Sequence, residues 1–136
     1  MKHINKVNYV DNAEEVIKSL INTDSRGNKS IKLTTSKIRN ILMMVTDLYN
    51  DALRNKDDKL SSDIVSSVKY MKMRLIYEIG RDIADKGNSG VEEFAKKAKL
   101  IEIIDSIGYS REDLILFCKY MEALVAYHKY YGGKDK

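Results

Sequence analysis

Apolar side chains recur every three or four residues along most of this chain, and that spacing places them on one face of an α-helix. The longest such stretch covers residues 60–83, where one face carries Leu60, Ile64, Val68, Met71, Leu75 and Ile79. Four further segments show the same spacing, at residues 11–21, 34–52, 89–107 and 110–131. Because short polar loops join them and no strand pattern competes, we predict an all-α fold, a compact bundle of about five helices.

Residues that can cap a helix stand at the start of four of these five segments. They are Asp11 with Glu14, the run Thr34-Thr35-Ser36, Ser89 with Glu92, and Ser110 with Asp113. Such side chains accept hydrogen bonds from the free amides at the start of a helix. The polar run at residues 22–30 is rich in turn formers and is predicted to be an exposed loop. Residues 1–10 lack apolar periodicity, so we expect a flexible arm there, followed by a single helical domain at residues 11–133.

The composition fits one globular domain. The chain has 136 residues, of which 43% are hydrophobic and 32% are charged; this is enough to bury a core and too apolar for a disordered chain. It contains no proline, the residue that most often interrupts a helix. The formal net charge of +4 favours an anionic partner only modestly.

The single cysteine, Cys118, cannot form an internal disulfide, so a reducing compartment is expected. The first residues of the chain are too polar for a secretory signal. No apolar run approaches the roughly 18 residues that a membrane-spanning helix needs. We therefore expect a cytoplasmic protein that does not associate with a membrane.

A second face of the segment at residues 60–83 alternates aromatic rings with guanidinium groups. Its members are Tyr70, Arg74, Tyr77 and Arg81. Arginine pairs with phosphate and aromatic rings stack on bases, so this face suits a nucleic acid. A solvated, salt-bridged surface is the alternative, because Glu78 lies within one turn of Arg74 and Arg81. Lys69 and Lys72 add positive charge on the flank.

Two further cations stand at the start of the segment at residues 34–52. Lys37 and Arg39 fall in the first turns of the predicted helix, where free N–H groups and the helix dipole already favour phosphate. An anion site is one interpretation of this pair. A pair of ordinary exposed side chains is the other, since helix surfaces are routinely charged.

Gly80 lies within the longest predicted helix, where glycine costs about 0.5–1 kcal/mol relative to alanine. A glycine at such a position usually has a local reason. The sequence leaves two explanations open: the close approach of another backbone, or an early end of the helix before Gly87.

The sequence contains no recognisable catalytic or metal-binding motif. His3 and His128 are its two histidines, and neither has a partner at the spacing of a metal site. Cys118 lies on an apolar stripe, where a buried inert thiol is expected, and no glycine-rich phosphate loop is present. We interpret five methionines as core or near-core fillers: Met43, Met44, Met71, Met73 and Met121. The sequence therefore predicts no catalytic activity, no cofactor and no metal.

Three segments of the chain resemble, in order and in spacing, the small subunit of the type III-A CRISPR interference complex, the Csm complex. They are residues 33–40 (LTTSKIRN), residues 77–82 (YEIGRD) and residues 117–129 (FCKYMEALVAYHK), the last running into YYGG. The similarity covers about residues 30–133. Each motif is short, but the three together are specific.

The resemblance implies an all-helical subunit without catalytic activity of its own. Several copies are expected to stack along the complex, beside the backbone subunit that holds the guide RNA and with the large polymerase-like subunit as a further partner. These copies would line the channel where target RNA pairs with guide RNA, and would contact the RNA backbone through basic helix faces. The alternative is a structural adaptor that contacts only neighbouring protein subunits.

Cations on two predicted helices are the candidate RNA-binding residues. They are Lys37, Arg39, Lys69, Lys72, Arg74 and Arg81. Lys37, Arg39 and Arg81 lie in the segments that carry the resemblance, whereas the other three follow from helical geometry on the central helix. The tyrosine-rich end of the last helix is expected to pack against protein rather than bases.

Overall fold

The computed structural model describes residues 3–132 as six α-helices and a two-stranded antiparallel hairpin. Their bounds are α1 Tyr9–Ser19, β1 Ile21–Thr23, β2 Lys29–Ile31, α2 Thr35–Arg54, α3 Ser62–Ala84, α4 Val91–Ala98, α5 Leu100–Ile107 and α6 Arg111–Tyr130. The prediction of an all-α bundle is confirmed, with six helices where the pattern suggested five. The predicted domain end at residue 133 and the first two residues of the predicted arm lie outside the described residues.

α6 lies at the centre of the bundle, in contact with α1, α2 and α5. Its buried side chains cover more than one face: Leu114, Leu116, Phe117, Cys118, Tyr120, Met121, Leu124 and His128. The buried Tyr120 hydroxyl donates to the Ala98 carbonyl oxygen at 3.0 Å, which satisfies its need for a partner. By contrast, α3 buries one stripe along its length and leaves the remainder of its surface exposed.

α1 begins at Tyr9, and Asn8 is its N-cap residue without a side-chain cap hydrogen bond. The capping box predicted for Asp11 and Glu14 is therefore wrong. Ile4, in the stretch predicted as an arm, is 2% exposed and belongs to the core. The chain before α1 thus contributes apolar surface to the bundle.

The exposed loop predicted at residues 22–30 is a β-hairpin. Ile21 pairs with Ile31 at its base, and Ile31 is buried. The Asp24 carboxylate closes the turn by accepting hydrogen bonds from the amides of Arg26 and Asn28, both at 2.9 Å. The turn residues were recognisable, but three-residue strands are too short for an alternating pattern to predict them.

The single helix predicted for residues 89–107 is two helices, α4 and α5, separated by Lys99 in a left-handed conformation (φ +56°). α4 buries Val91, Phe94, Ala95 and Ala98, and α5 buries Leu100, Ile103, Ile104 and Ile107. The break lets both apolar stripes face the core. The capping box predicted for Ser89 and Glu92 is also wrong, since Gly90 is the N-cap residue of α4.

α2 and α3 form an antiparallel helix pair joined by residues 55–61. Each has a hydroxyl cap: Thr34 accepts from the Lys37 amide at 3.2 Å, and Ser61 accepts from the Ile64 amide at 3.3 Å. The cap predicted at residues 34–36 is confirmed, as is the Ser110 cap of α6. Because the pair is antiparallel, the start of α2 lies beside the end of α3.

Candidate nucleic-acid interface

A surface groove of about 360 Å³ runs between α2 and α3. It is lined by Lys37, Asn40, Met43, Met44, Arg74, Glu78, Arg81 and Val91. The antiparallel arrangement brings Lys37, from the first turn of α2, to the same groove as Arg74 and Arg81 of α3. Three of the cations predicted from sequence therefore converge on one concave surface.

The face of α3 that alternates tyrosine with arginine is exposed. The Arg74 guanidinium carbon lies 6.0 Å from the centre of the Tyr70 ring, and that of Arg81 lies 5.9 Å from the Tyr77 ring. These are distances at which a cation is attracted to an aromatic face. Arg81 Nη1 also lies 3.3 Å from Glu78 Oε1, but a pair this exposed contributes little energy and leaves the guanidinium able to exchange partners.

A smaller cavity of about 180 Å³ continues the groove, and it shares Lys37, Glu78 and Arg81 with it. Asp82, Asp85 and Ser89 complete its lining. The carboxylates lower the positive potential at this end. The part of the groove most favourable to an anion therefore lies toward Arg74, the groove cation that does not also line this smaller cavity.

The groove is held in place by a junction at Leu33, just before α2. The carbonyl oxygen of Leu33 accepts a hydrogen bond from His128 Nε2 of α6 at 2.7 Å, and His128 is 1% exposed. On its other side, the Leu33 amide packs against Gly90: a Cβ at position 90 would lie 2.8 Å from Leu33 N. Gly90 also has φ +81°, which favours glycine.

Asp82 ties the end of α3 to the start of α4. Its carboxylate is 3% exposed and accepts from the amides of Ser89 and Glu92, both at 2.8 Å. Burial alone would raise the pKa of this carboxyl. The hydrogen bonds from Glu92 and Ser89, with the charge of Lys32, outweigh burial and hold the pKa below its ordinary value of 3.8. A charged Asp82 thus supplies the cap that sequence analysis assigned to Ser89 and Glu92.

The segments that carry the family resemblance meet at this junction. Residues 33–40 contribute Leu33 to the junction and Lys37 to the groove, and residues 117–129 contribute His128 to the junction. Residues 77–82 contribute Arg81 to the groove and Asp82 to the link with α4. The junction therefore fixes the relative positions of Lys37 and Arg81.

Three other predicted RNA-binding cations do not line the groove. Arg39 is exposed on α2 and Lys69 is exposed on α3. Lys72 forms an ion pair with Asp105 of α5, on the flank of α3 that packs on that helix. The geometry does not bring these three to the groove, and their RNA contacts stay predictions.

Sequence analysis missed the apolar part of the groove. Met43, which lines the groove, is 71% exposed, and Met73, which does not line it, is 57% exposed, so their assignment as core or near-core fillers is wrong. A signal was present: Lys37, Asn40 and Met44 recur at i, i+3 and i+7, which places them on one face of α2. Their partner helix could not be deduced from that spacing.

The single cysteine of the chain is not available as a nucleophile. Cys118 is buried, and burial together with the charge of Glu122 raises the pKa of its thiol to about 12, so the reactive thiolate is not formed near neutral pH. Between residues 3 and 132, no three His, Cys, Asp or Glu side chains are grouped to hold a metal ion. No helix in the described part of the chain is long and apolar enough to cross a membrane.

Comparison with known proteins identifies the family. The model of the family Csm2 Type III-A matches residues 8–134. A protein of Streptococcus thermophilus described as CRISPR system Cms protein Csm2 is 44% identical over 128 residues, 94% of each chain. Proteins of the same description from Mycobacterium tuberculosis and Enterococcus italicus are 37% identical over 94% of each chain, and 34% identical over 82% of this chain and 80% of the relative. This chain therefore belongs to the Csm2 family, the small subunits of the type III-A CRISPR Csm complex.

Proposed function

We propose that this protein is a non-catalytic, RNA-contacting subunit of a cytoplasmic Csm complex. Copies of it stack beside the backbone subunit and the large polymerase-like subunit, and the groove between α2 and α3 binds the sugar–phosphate backbone of target or guide RNA. The observation that carries this proposal is the convergence of Lys37, Arg74 and Arg81 at one groove. Two rigid helices hold these cations, so they present a fixed positive surface.

Contacts of this kind position RNA without reading its sequence. Phosphates are identical along a strand, and sequence recognition in RNA-guided complexes comes from base pairing with the guide. About three phosphate contacts bind weakly, and each one on a single strand contributes about −0.7 to the slope of log affinity against log salt. Stacked copies then supply the useful affinity through avidity.

The central test reverses the charge of α3 at the groove. The double variant Arg74→Glu, Arg81→Glu removes two of three groove cations and introduces repulsion, so crosslinking of this subunit to RNA in the assembled complex should be lost. Both side chains are exposed, so circular dichroism should still show the helical fold. If the variant crosslinks as well as the parent does, RNA does not bind at the groove.

A matched control keeps the charge change and moves it away from the groove. Lys56 and Lys96 are exposed and lie outside the groove lining. The double variant Lys56→Glu, Lys96→Glu changes net charge by the same amount as the arginine pair. It should retain most of the crosslinking, and an equal loss would mean that net charge rather than the groove decides binding.

A structural adaptor is the second candidate function, in which basic residues meet only neighbouring subunits. It is favoured by apolar side chains on the flank of α3 away from the groove, where Ile76 is 47% and Ile83 is 54% exposed. Such residues suit a protein neighbour. If the arginine variant no longer assembles into the complex, but the same variant outside the complex binds RNA as well as the parent does, the adaptor function is supported and RNA contact is not.

A further inference from the structure

The outward face of α3 carries two large aromatic rings in solvent. Tyr70 is 60% exposed and Tyr77 is 65% exposed. They are seven residues apart, about two helical turns, so they lie on the same face with a separation of about 10.5 Å along the axis. Neither ring contributes to the core, and leaving large aromatic surface in water is unfavourable.

Each ring is paired with a cation of the groove. Arg74, beside Tyr70, and Arg81, beside Tyr77, both line the groove. Phosphates held by these guanidinium groups would place the attached sugars and bases within a few ångströms of the two rings. The rings are therefore positioned to meet the bases of the strand whose backbone occupies the groove.

The arrangement of the rings suits RNA at this point of α3. Tyrosine and arginine are also common in protein interfaces, but here each ring lies about 6 Å from a guanidinium that lines the groove. Aromatic rings interleaved with cations are the usual surface for single-stranded nucleic acid, since unpaired bases stack on rings while cations bind phosphates. Bases within a duplex are stacked on one another and offer no free face.

We propose that Tyr70 and Tyr77 stack on unpaired bases of a single RNA strand held in the groove. This inference rests on the proposed function, because the groove must first bind RNA. A stacked strand advances about 3.4 Å per nucleotide, so rings about 10.5 Å apart contact bases about three nucleotides apart. The surface therefore distinguishes single-stranded from paired RNA without reading sequence.

The test compares leucine and phenylalanine at both tyrosines in the full-length protein. Tyr70→Leu with Tyr77→Leu removes the rings and keeps apolar bulk, whereas Tyr70→Phe with Tyr77→Phe keeps the rings. Fluorescence anisotropy at low salt measures affinity for a single-stranded RNA and for a duplex of equal length. Stacking contributes about 1–3 kcal/mol per base, so the leucine variant should bind single-stranded RNA at least tenfold more weakly, an approximate lower bound.

In the other combinations of variant and RNA, the affinity should change little. The leucine variant should bind duplex RNA within about twofold of the parent, and the phenylalanine variant should match the parent on both RNAs. Circular dichroism checks the fold, which exposed positions should not disturb. Equal losses on both RNAs, or a loss in the phenylalanine variant, would overturn stacking.

The arginine variants separate failure of this inference from failure of the proposed function. If Arg74→Glu with Arg81→Glu weakens binding and the leucine variant does not, the backbone contact stands and stacking is wrong. If neither pair weakens binding, the groove does not bind RNA. If the leucine variant loses only assembly with other subunits, the rings form a protein interface and stacking is again wrong.

Discussion

At the scale of single residues, Asp82 combines burial with charge. Replacing it by asparagine keeps the shape but removes the charge that the amides of Ser89 and Glu92 bind. Hydrogen bonds to charged groups are worth more than neutral ones, so Asp82→Asn should lower the free energy of unfolding by about 1–3 kcal/mol. Urea denaturation measures this change. The control Asp85→Asn alters an exposed neighbour and should change stability by less than about 0.5 kcal/mol.

The Asp82 carboxylate also predicts how the stability of the folded protein changes with pH. The folded-state pKa of Asp82 is lowered from 3.8, so the folded protein binds this proton less readily than the unfolded chain. The stabilisation is therefore complete above the unfolded pKa and is lost as pH falls through the folded pKa. The difference between parent and Asp82→Asn should be full at about pH 6 and smaller at about pH 3. A difference that grows on acidification would contradict the assigned role.

Two glycines in the same region should respond oppositely to alanine. At Gly90 a Cβ would lie 2.8 Å from Leu33 N and φ is +81°, so Gly90→Ala should lower the free energy of unfolding by more than about 1 kcal/mol. At Gly80 nothing lies within 4 Å of the added Cβ, so Gly80→Ala should raise it by about 0.5–1 kcal/mol. Thermal denaturation of both variants tests this. Equal losses of stability in the two variants would contradict the local geometry.

Gly80 also shows what sequence reasoning could not settle. The close approach of another backbone is wrong, because no other part of the described chain approaches position 80. The helix does end before Gly87, at Ala84, but Gly80 itself lies inside α3. Gly90, by contrast, does meet another backbone, yet its sequence surroundings looked like an ordinary capping box. A close approach depends on tertiary packing, which local spacing does not contain.

At the scale of elements, the break between α4 and α5 brings two buried stripes to the core. Val91 and Leu100 are nine residues apart, about two and a half turns, so a straight helix would place them on opposite faces. Both are buried, and the break at Lys99 lets each of them face the core. Sequence analysis predicted one continuous helix over residues 89–107, because apolar spacing alone did not mark Lys99 as a break.

Replacing Lys99 with glycine tests this break. In its left-handed conformation (φ +56°), a residue with a Cβ is strained by about 1–2 kcal/mol, so Lys99→Gly should raise the free energy of unfolding by about 0.5–1 kcal/mol after its entropic cost. The control Lys96→Gly, inside α4, should lower it by about 1 kcal/mol. Urea denaturation measures the free energy of unfolding of both variants. If both variants are less stable than the parent, α4 and α5 form one continuous helix.

The candidate site shows the same division between local and tertiary information. The stripe of Tyr70, Arg74, Tyr77 and Arg81 could be predicted because helical spacing fixes it, and the structure brings each arginine beside a tyrosine. The partnership with Lys37 required knowing which face of α2 meets α3. Several exposed faces were equally available from the sequence, and only packing in the bundle selects one.

At the scale of the whole molecule, charge is unevenly distributed along the α2–α3 pair. The end near the connecting residues 55–61 carries five aspartates, Asp47, Asp51, Asp57, Asp58 and Asp63, against three cations, Arg54, Lys56 and Lys59, so its formal charge is negative. The opposite end carries the groove cations. Because acidic side chains repel phosphate, RNA should enter at the groove end and avoid the connection. The modest net charge of +4 therefore conceals a polarity that composition could not reveal.

The salt dependence of RNA binding measures how many cations take part. If Lys37, Arg74 and Arg81 are the contacts, the full-length protein should bind single-stranded RNA with a slope of log affinity against log salt of about −2. Lys37→Gln should make that slope shallower by about 0.7, because one released counterion is lost. Arg54→Gln is the matched control, since Arg54 is exposed on the same helix but outside the groove, and it should leave the slope unchanged. If Arg54→Gln instead reduces the slope as much as Lys37→Gln does, RNA contacts α2 far from the groove and the three groove cations are not the contacts.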